Sequence, residues 1–178
     1  MVIIRQIFHK NYSTGKKVFY EYTSEKFYDI HLERKSNGWN ISLTEERFAV
    51  PFVKKFEEEI FESYKEGSEC YLAEFNEEEA AVMVIQHMEW NNTLLIHDLY
   101  VDRRFKKKGI GRSLIEVAKK RAIELGVRAI NLETQTSNYP AIQFYLKNGF
   151  ELIGFNSISY SNEDVKKNEV RIEMGYHL

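Results

Sequence analysis

The stretch TLLIHDLYVDRRFKKKGIGRSLIEVAKKRAIEL, from Thr93 to Leu125, constrains the fold more than any other part of the chain. Thr93–Val101 reads as a strand. From Gly111 to Leu125 the pattern is helical, with Leu114, Ala118, Ala122 and Leu125 on one face and Gly126 as the stop. Between them lies a basic loop, with Gly109 and Gly111 at the mouth of the helix. The first N–H groups of a helix lack intrahelical acceptors and carry the positive end of its dipole. Glycines let an anion approach them, as a phosphate does, and Lys106, Lys107, Lys108 and Arg112 add cationic charge at the same point. A solvated basic loop is the plainer alternative; the strand before and the helix after favour phosphate binding. A Walker loop would need G-x-x-x-x-G-K-[ST], and a dinucleotide fingerprint a third glycine where Leu114 stands, so neither reading survives.

The rest of the chain extends this unit. FYDIHLERKSNGWNISL holds two strand-like runs about Asn37-Gly38, a strong hairpin signal. Behind Pro51, the spacing of Phe52, Phe56, Ile60 and Tyr64 predicts a helix ending at Gly67. Strands are expected at Cys70–Phe75 and Ala80–Met88, then over RAINLET, where Ile130 and Leu132 oppose Asn131 and Glu133. A second helix starts near Asn138-Tyr139-Pro140 and runs to Asn148-Gly149, and strands near Phe150–Phe155 and Val170–His177 finish the chain. The order, β-rich at first and then β-α-β-α-β-β, predicts a mixed α/β (α+β) sheet with helices packed on it, in one domain over residues 1–178.

A formal charge of −2 argues against a nucleic-acid protein, which needs a broad basic surface. The single cysteine, Cys70, excludes an internal disulfide framework; within ECYLAEF it reads as strand core rather than as a catalytic thiol. MVIIRQIFHK lacks the apolar run of a signal peptide and no segment reads as a membrane span, so a cytoplasmic protein with no membrane partner is expected. His9, His31, His87, His97 and His177 form no ligand pattern, and no metal is assigned.

The run from Leu94 to Phe155 resembles the GNAT superfamily of acetyl-CoA-dependent N-acetyltransferases. Their signature, [RQ]-x-x-G-x-[GA] after a strand, is matched by Lys106-Lys107-Lys108-Gly109-Ile110-Gly111, with lysine in place of the usual first arginine or glutamine. The resemblance implies a mostly antiparallel sheet flanked by helices and splayed between the family's fourth and fifth strands, where the cofactor enters. It implies that Lys107 through Arg112 hold the coenzyme A pyrophosphate, with Lys106 and Ser113 adjacent. The backbone of Leu99, Tyr100 and Val101 would face the thioester and pantetheine arm, and Asn138 would touch that arm, with helix capping as its plainer role.

Amine acetylation also needs proton transfers. A lysine-like amine has a pKa of about 10.4, so its deprotonation at neutral pH costs about 4–5 kcal/mol. By the same resemblance Glu133 is the first candidate base; Asp98, on the adjacent strand, is the second or else orients the substrate ammonium, and a surface or ion-paired carboxylate is the alternative for each. Tyr145, at the spacing N-x-x-x-x-x-x-Y from Asn138, is at the family's general-acid position, where a core tyrosine is the alternative.

HDLYVD, LETQTSN, FYLKNGFELIGFN and WNISLTEERFAVPFVKKF are more specific. They resemble the streptothricin acetyltransferases, antibiotic-resistance enzymes of this family that acetylate an amine on the drug's β-lysine portion. The expected partner is thus a small cationic amine, with a homodimer also in keeping with the family. Another polyamine or peptide amine, or a non-catalytic acyl-CoA sensor, are the alternatives. Glu57–Glu59 and Glu77–Glu79 read as solvated faces or as an attraction for a polycation, and Trp39, Phe48 and Trp90 as core or as an acceptor groove.

Overall fold

A computed structural model describes residues 1–12 and 15–178. Nine strands and two α-helices are present among them: β1 (Val2–Ile7), β2 (Lys17–Lys35), β3 (Gly38–Glu59), β4 (Glu69–Phe75), β5 (Glu78–Met88), β6 (Thr93–Val101), α1 (Ile110–Leu125), β7 (Ala129–Gln135), α2 (Tyr139–Lys147), β8 (Glu151–Asn156) and β9 (Arg171–His177). Hydrogen-bonded neighbours follow the order β1-β4-β5-β6-β7-β9-β8 in one mostly antiparallel sheet flanked by the helices, and β2-β3 form a separate two-stranded ladder. Contacts divide the chain into two compact units.

The first unit comprises Met1–Glu21, Lys55–Leu132 and Gly175–Leu178. Its centre is β5, where Ala80 to Ile85 are all buried, a run too apolar for a strand with one face in water. Helix α1 packs on β4, β5 and β6 and buries Ile110, Leu114, Ile115, Ala118 and Ala122. Val82 and Val84 join a separate cluster with Ile7, Ile60, Cys70 and Leu72. Burying a side chain of this size contributes about 1.5–3 kcal/mol, so the five on α1 hold the helix against the sheet. Cys70 is core, as its strand pattern suggests, and burial pushes its thiol up to about 12.

The second unit comprises Tyr22–Lys54 and Glu133–Met174. It contains the end of β7, α2, β8, the start of β9 and most of the β2–β3 hairpin. Tyr28 donates its backbone N–H to the carbonyl of Thr136 (3.1 Å), which ties the hairpin to the segment after β7. Thr136 is fully buried and its hydroxyl donates to the Asn168 carbonyl (2.7 Å).

One sequence expectation is corrected. No helix follows Pro51: residues 38–59 form one strand, and Ser63–Lys65 makes a single 3₁₀ turn. Side chains four residues apart share a face in a strand as well as in a helix, so the spacing of Phe52, Phe56 and Ile60 fits both periods. The partner strand decides between them. Tyr20 stacks on Phe56 (4.7 Å between centroids, 5° between planes), Tyr22 meets Phe52 (6.0 Å) and Phe27 meets Phe48 (4.6 Å). Pro51 is tolerated because a two-stranded ladder leaves one edge of each strand unpaired. The N-terminal segment is a further strand, paired with β4 from Val2↔Phe75 to Ile7↔Cys70.

Candidate active site

The glycine loop lies where the strand–loop–helix pattern predicts. After β6, Asp102 caps the 3₁₀ turn Arg103–Phe105 by accepting from the Arg104 backbone N–H (2.8 Å). Lys107 (φ 64°) and Gly109 (φ 82°) then both adopt left-handed backbone, and α1 begins at Ile110 with no side-chain cap. Alternating hand of this kind turns successive N–H groups towards one point, a concavity that suits an anion. An ideal Cβ built on Gly109 meets nothing within 4 Å, so the approach to these amides is open. The observed loop thus fits a diphosphate on the N–H groups of Ile110, Gly111 and Arg112.

The surrounding cations are not equivalent. Lys106 donates to the Glu21 carbonyl (3.0 Å), and the Lys108 ammonium sits over the rings of Phe75 (4.8 Å) and Phe105 (5.2 Å). Lys107 and Arg112 are exposed. The Ser113 hydroxyl donates back to the Gly109 carbonyl (3.3 Å).

Next to the loop, β6 pairs antiparallel with β5 through Met83↔Leu99, Val82↔Tyr100 and Ala81↔Val101. On its other side the parallel ladder to β7 runs from Thr93↔Ala129 to Ile96↔Leu132, which leaves Leu99–Val101 beyond its end. That is the splay expected for a pantetheine arm. The register with β5 also jumps from Val84↔Asp98 to Ile85↔Ile96, so His97 is an extra, bulged residue. Its Nε2 lies 2.7 Å from the Gln86 amide oxygen, and burial lowers its pKa.

Just past the bulge, Asp98 points into the first unit with only 4% of its side chain exposed. Oδ1 accepts from the Tyr20 hydroxyl (2.7 Å) and Oδ2 lies 2.8 Å from the Lys65 ammonium. Lys65 also donates to Glu58 (2.9 Å) and to the Glu59 carbonyl (3.4 Å), so its ammonium lies between the two carboxylates. Burial raises the Asp98 pKa, with Lys65 and Tyr20 opposing; Lys65 is held charged by Asp98 and Glu58 against its own burial. No short motif announces Tyr20, Glu58 or Lys65 in the sequence: two lie on the long hairpin strands and the third in the 3₁₀ turn.

In the second unit, Glu133 faces away from the buried Ile130 and Leu132 of its own strand, as the alternation predicts. Its carboxylate pairs with Arg171 (2.5 Å) and accepts from the Tyr160 hydroxyl (3.2 Å), partners the sequence reading did not name. Asn138 caps α2, accepting from the Ala141 backbone N–H (3.3 Å). Tyr145 is 7% exposed, with its ring edge-on to Phe144 (5.3 Å) and Phe150 (5.6 Å). Trp39 and Trp90 are exposed, which excludes a core role for both, while Phe48 is half-buried against Phe27 and Phe52. Among the described residues, no cluster of three or more His, Cys, Asp or Glu could hold a metal, and no helix is long and apolar enough to cross a membrane.

Residues 24–150 match the Acetyltransferase (GNAT) family. The chain belongs to that family. As a GNAT protein it is an acetyl-CoA-dependent N-acetyltransferase. It is 33% identical over 142 residues to a streptothricin acetyltransferase of Escherichia coli, covering 80% of this chain and 77% of that one. It is 34% identical over 122 residues to streptothricin acetyltransferase A of Bacillus subtilis (strain 168), covering 67% and 70%. Among solved structures, a Bacillus anthracis str. Ames protein in complex with acetyl coenzyme A superposes with a TM-score of 0.76 at 26% identity over the whole of both chains. Nourseothricin acetyltransferase superposes with a TM-score of 0.80 over 99% of this chain and 98% of that one; at 22% identity this speaks for the fold alone.

Proposed function

We propose that this GNAT enzyme acetylates a primary amine on a small cationic acceptor, namely the β-lysine portion of a streptothricin-type antibiotic. The similarity to the Escherichia coli streptothricin acetyltransferase over 80% of the chain carries this reading. Acetyl-CoA, when bound, supplies the thioester acyl group. In this reading the amides of residues 110–112, with Lys107 and Arg112, hold the diphosphate, while Lys106 and Lys108 fix the loop through Glu21 and the Phe75–Phe105 rings. The edge of Leu99–Val101 away from β5 takes the pantetheine arm and donates to the carbonyl oxygen as it gains charge. Tyr145 protonates the departing sulfur, and Glu133 or Asp98 accepts the amine proton.

Thiol release from acetyl-CoA by the purified chain, with streptothricin and with a panel of polyamines and peptide amines, tests this. Streptothricin-dependent release, with mass spectrometry placing one acetyl group on the β-lysine portion, is the expected result. Turnover with the other amines and none with streptothricin would overturn the substrate; binding without any turnover would overturn the activity.

A further inference from the structure

We propose that Tyr20 is a further catalytic residue, its hydroxyl carrying the proton of the acceptor amine onto Asp98, with Lys65 and Glu58 as positioning residues behind them. This deepens the acetyltransferase reading and rests on it. Asp98 adjoins Leu99–Val101, the main chain assigned to the thioester, yet its carboxylate is buried. The hydroxyl against Oδ1 is that of Tyr20, on a ring that is itself half-buried between Phe56 and Tyr100. Proton exchange between an amine and Asp98 therefore has a path through the Tyr20 oxygen. Donation to a carboxylate also enriches that oxygen as an acceptor for an ammonium N–H.

The charge behind the pair favours proton uptake. Lys65, with 1% of its side chain exposed, contributes one positive charge, and Asp98 and Glu58 contribute two negative ones. The trio carries −1; Asp98 and Lys65 are buried and Glu58 is a quarter exposed, so the excess negative charge, partly screened by solvent, favours a cation or a proton at Asp98. The other titratable groups facing it are Tyr64, which donates to Glu58 (3.0 Å), His97 beside it on β6 and Cys70 on β4. Burial of Asp98 pushes in the same direction, with Glu58 adding to it.

The step balances. An N–H bond of the acceptor ammonium breaks, its proton passes to the Tyr20 oxygen, and the Tyr20 proton moves to Asp98 Oδ1. The electron pair stays on nitrogen as the free amine; Tyr20 ends neutral and Asp98 as a carboxylic acid, which later returns the proton to solvent by the same route.

Tyr20→Phe removes one oxygen and keeps the ring stack, so it is the decisive variant. The purified enzyme is assayed from about pH 6.5 to about pH 9.5 with acetyl-CoA and the amine that it turns over fastest. Near pH 7, kcat/KM for the amine should fall on the order of 10²-fold, the deficit shrinking as the amine loses its proton unaided, with acetyl-CoA affinity unchanged. Lys65→Met should move the acid limb of the wild-type profile to higher pH, because the ammonium opposes protonation of Asp98. Full activity in Tyr20→Phe, or a deficit constant with pH, would overturn the role of Tyr20. An unmoved acid limb in Lys65→Met would overturn that of Lys65. No turnover of any amine by the unaltered chain would overturn the acetyltransferase reading and this one with it.

Discussion

Replacing Gly109 by alanine separates backbone strain from cofactor binding. The residue sits at φ 82°, ψ −5°, and a Cβ there meets nothing within 4 Å, so the folded chain has room for the methyl group. What remains is the left-handed backbone, which costs an L-residue about 1–2 kcal/mol. For a protein of this size each kcal/mol lowers Tm by about 2–4 °C, so a fall of about 2–8 °C is expected. Gly126, at the other end of α1, is a matched control: φ 66°, ψ 30° and likewise nothing within 4 Å. Gly126→Ala should therefore destabilise comparably. The two differ in what approaches them. If a diphosphate lies against the amides after Gly109, the new methyl displaces it and forfeits a charge-assisted hydrogen bond worth about 1.5–3 kcal/mol, a Kd about 10- to 150-fold weaker. Calorimetric titration with acetyl-CoA beside thermal melts reads both quantities. Equal affinity for acetyl-CoA in the two variants would refute the cradle.

Tyr145→Phe keeps the ring packing against Phe144 and Phe150, so it should lower kcat on the order of 10²-fold and leave acetyl-CoA affinity nearly unaltered; an unchanged kcat removes Tyr145 as the acid. Cys70, buried and pushed up to about 12, is a thiolate in only about one molecule in ten thousand at pH 8, so iodoacetamide should label it in denaturant and not in the native chain. Rapid native labelling would contradict its placement in the core. Hydrogen bonds from Arg104 hold the Asp102 carboxyl below its ordinary range, so the stabilisation it gives is present above an unfolded value of about 3.9 and lost as pH falls through the lower folded value. Asp102→Asn should accordingly melt earlier than the wild type near pH 7, and the two curves should converge in strong acid. A gap that persists there would show that the cap, rather than the charge, is what was lost.

Residues close together in sequence were the most legible. Lys106–Ser113, Asn138 and Tyr145 owe their positions to a strand–loop–helix turn and a helix start, whose glycine, proline and asparagine signals act within a few residues. The bounds of β6 match the alternation, and α1 begins one residue before the expected start. The 51–67 segment failed because its aromatic spacing satisfies two periods at once, and the choice was made by Tyr20 and Tyr22, 36 and 30 residues before the rings they meet. Asp98 and Glu133 were visible as candidates, but their partners were not: Tyr20 lies 78 positions from Asp98, and Arg171 reaches Glu133 from β9.

By itself, the sequence determined the order of the elements from β4 onward, the glycine turn between β6 and α1 and the family, because each depends on short-range backbone preferences and local spacing. Tertiary structure alone decided which carboxylate is buried and which stays at the surface. It set a lysine and a tyrosine from remote segments against Asp98 and left Glu133 exposed on an arginine. The reason is that desolvation and charge pairing depend on what the fold brings within a few ångströms, and no local pattern of residues encodes that distance.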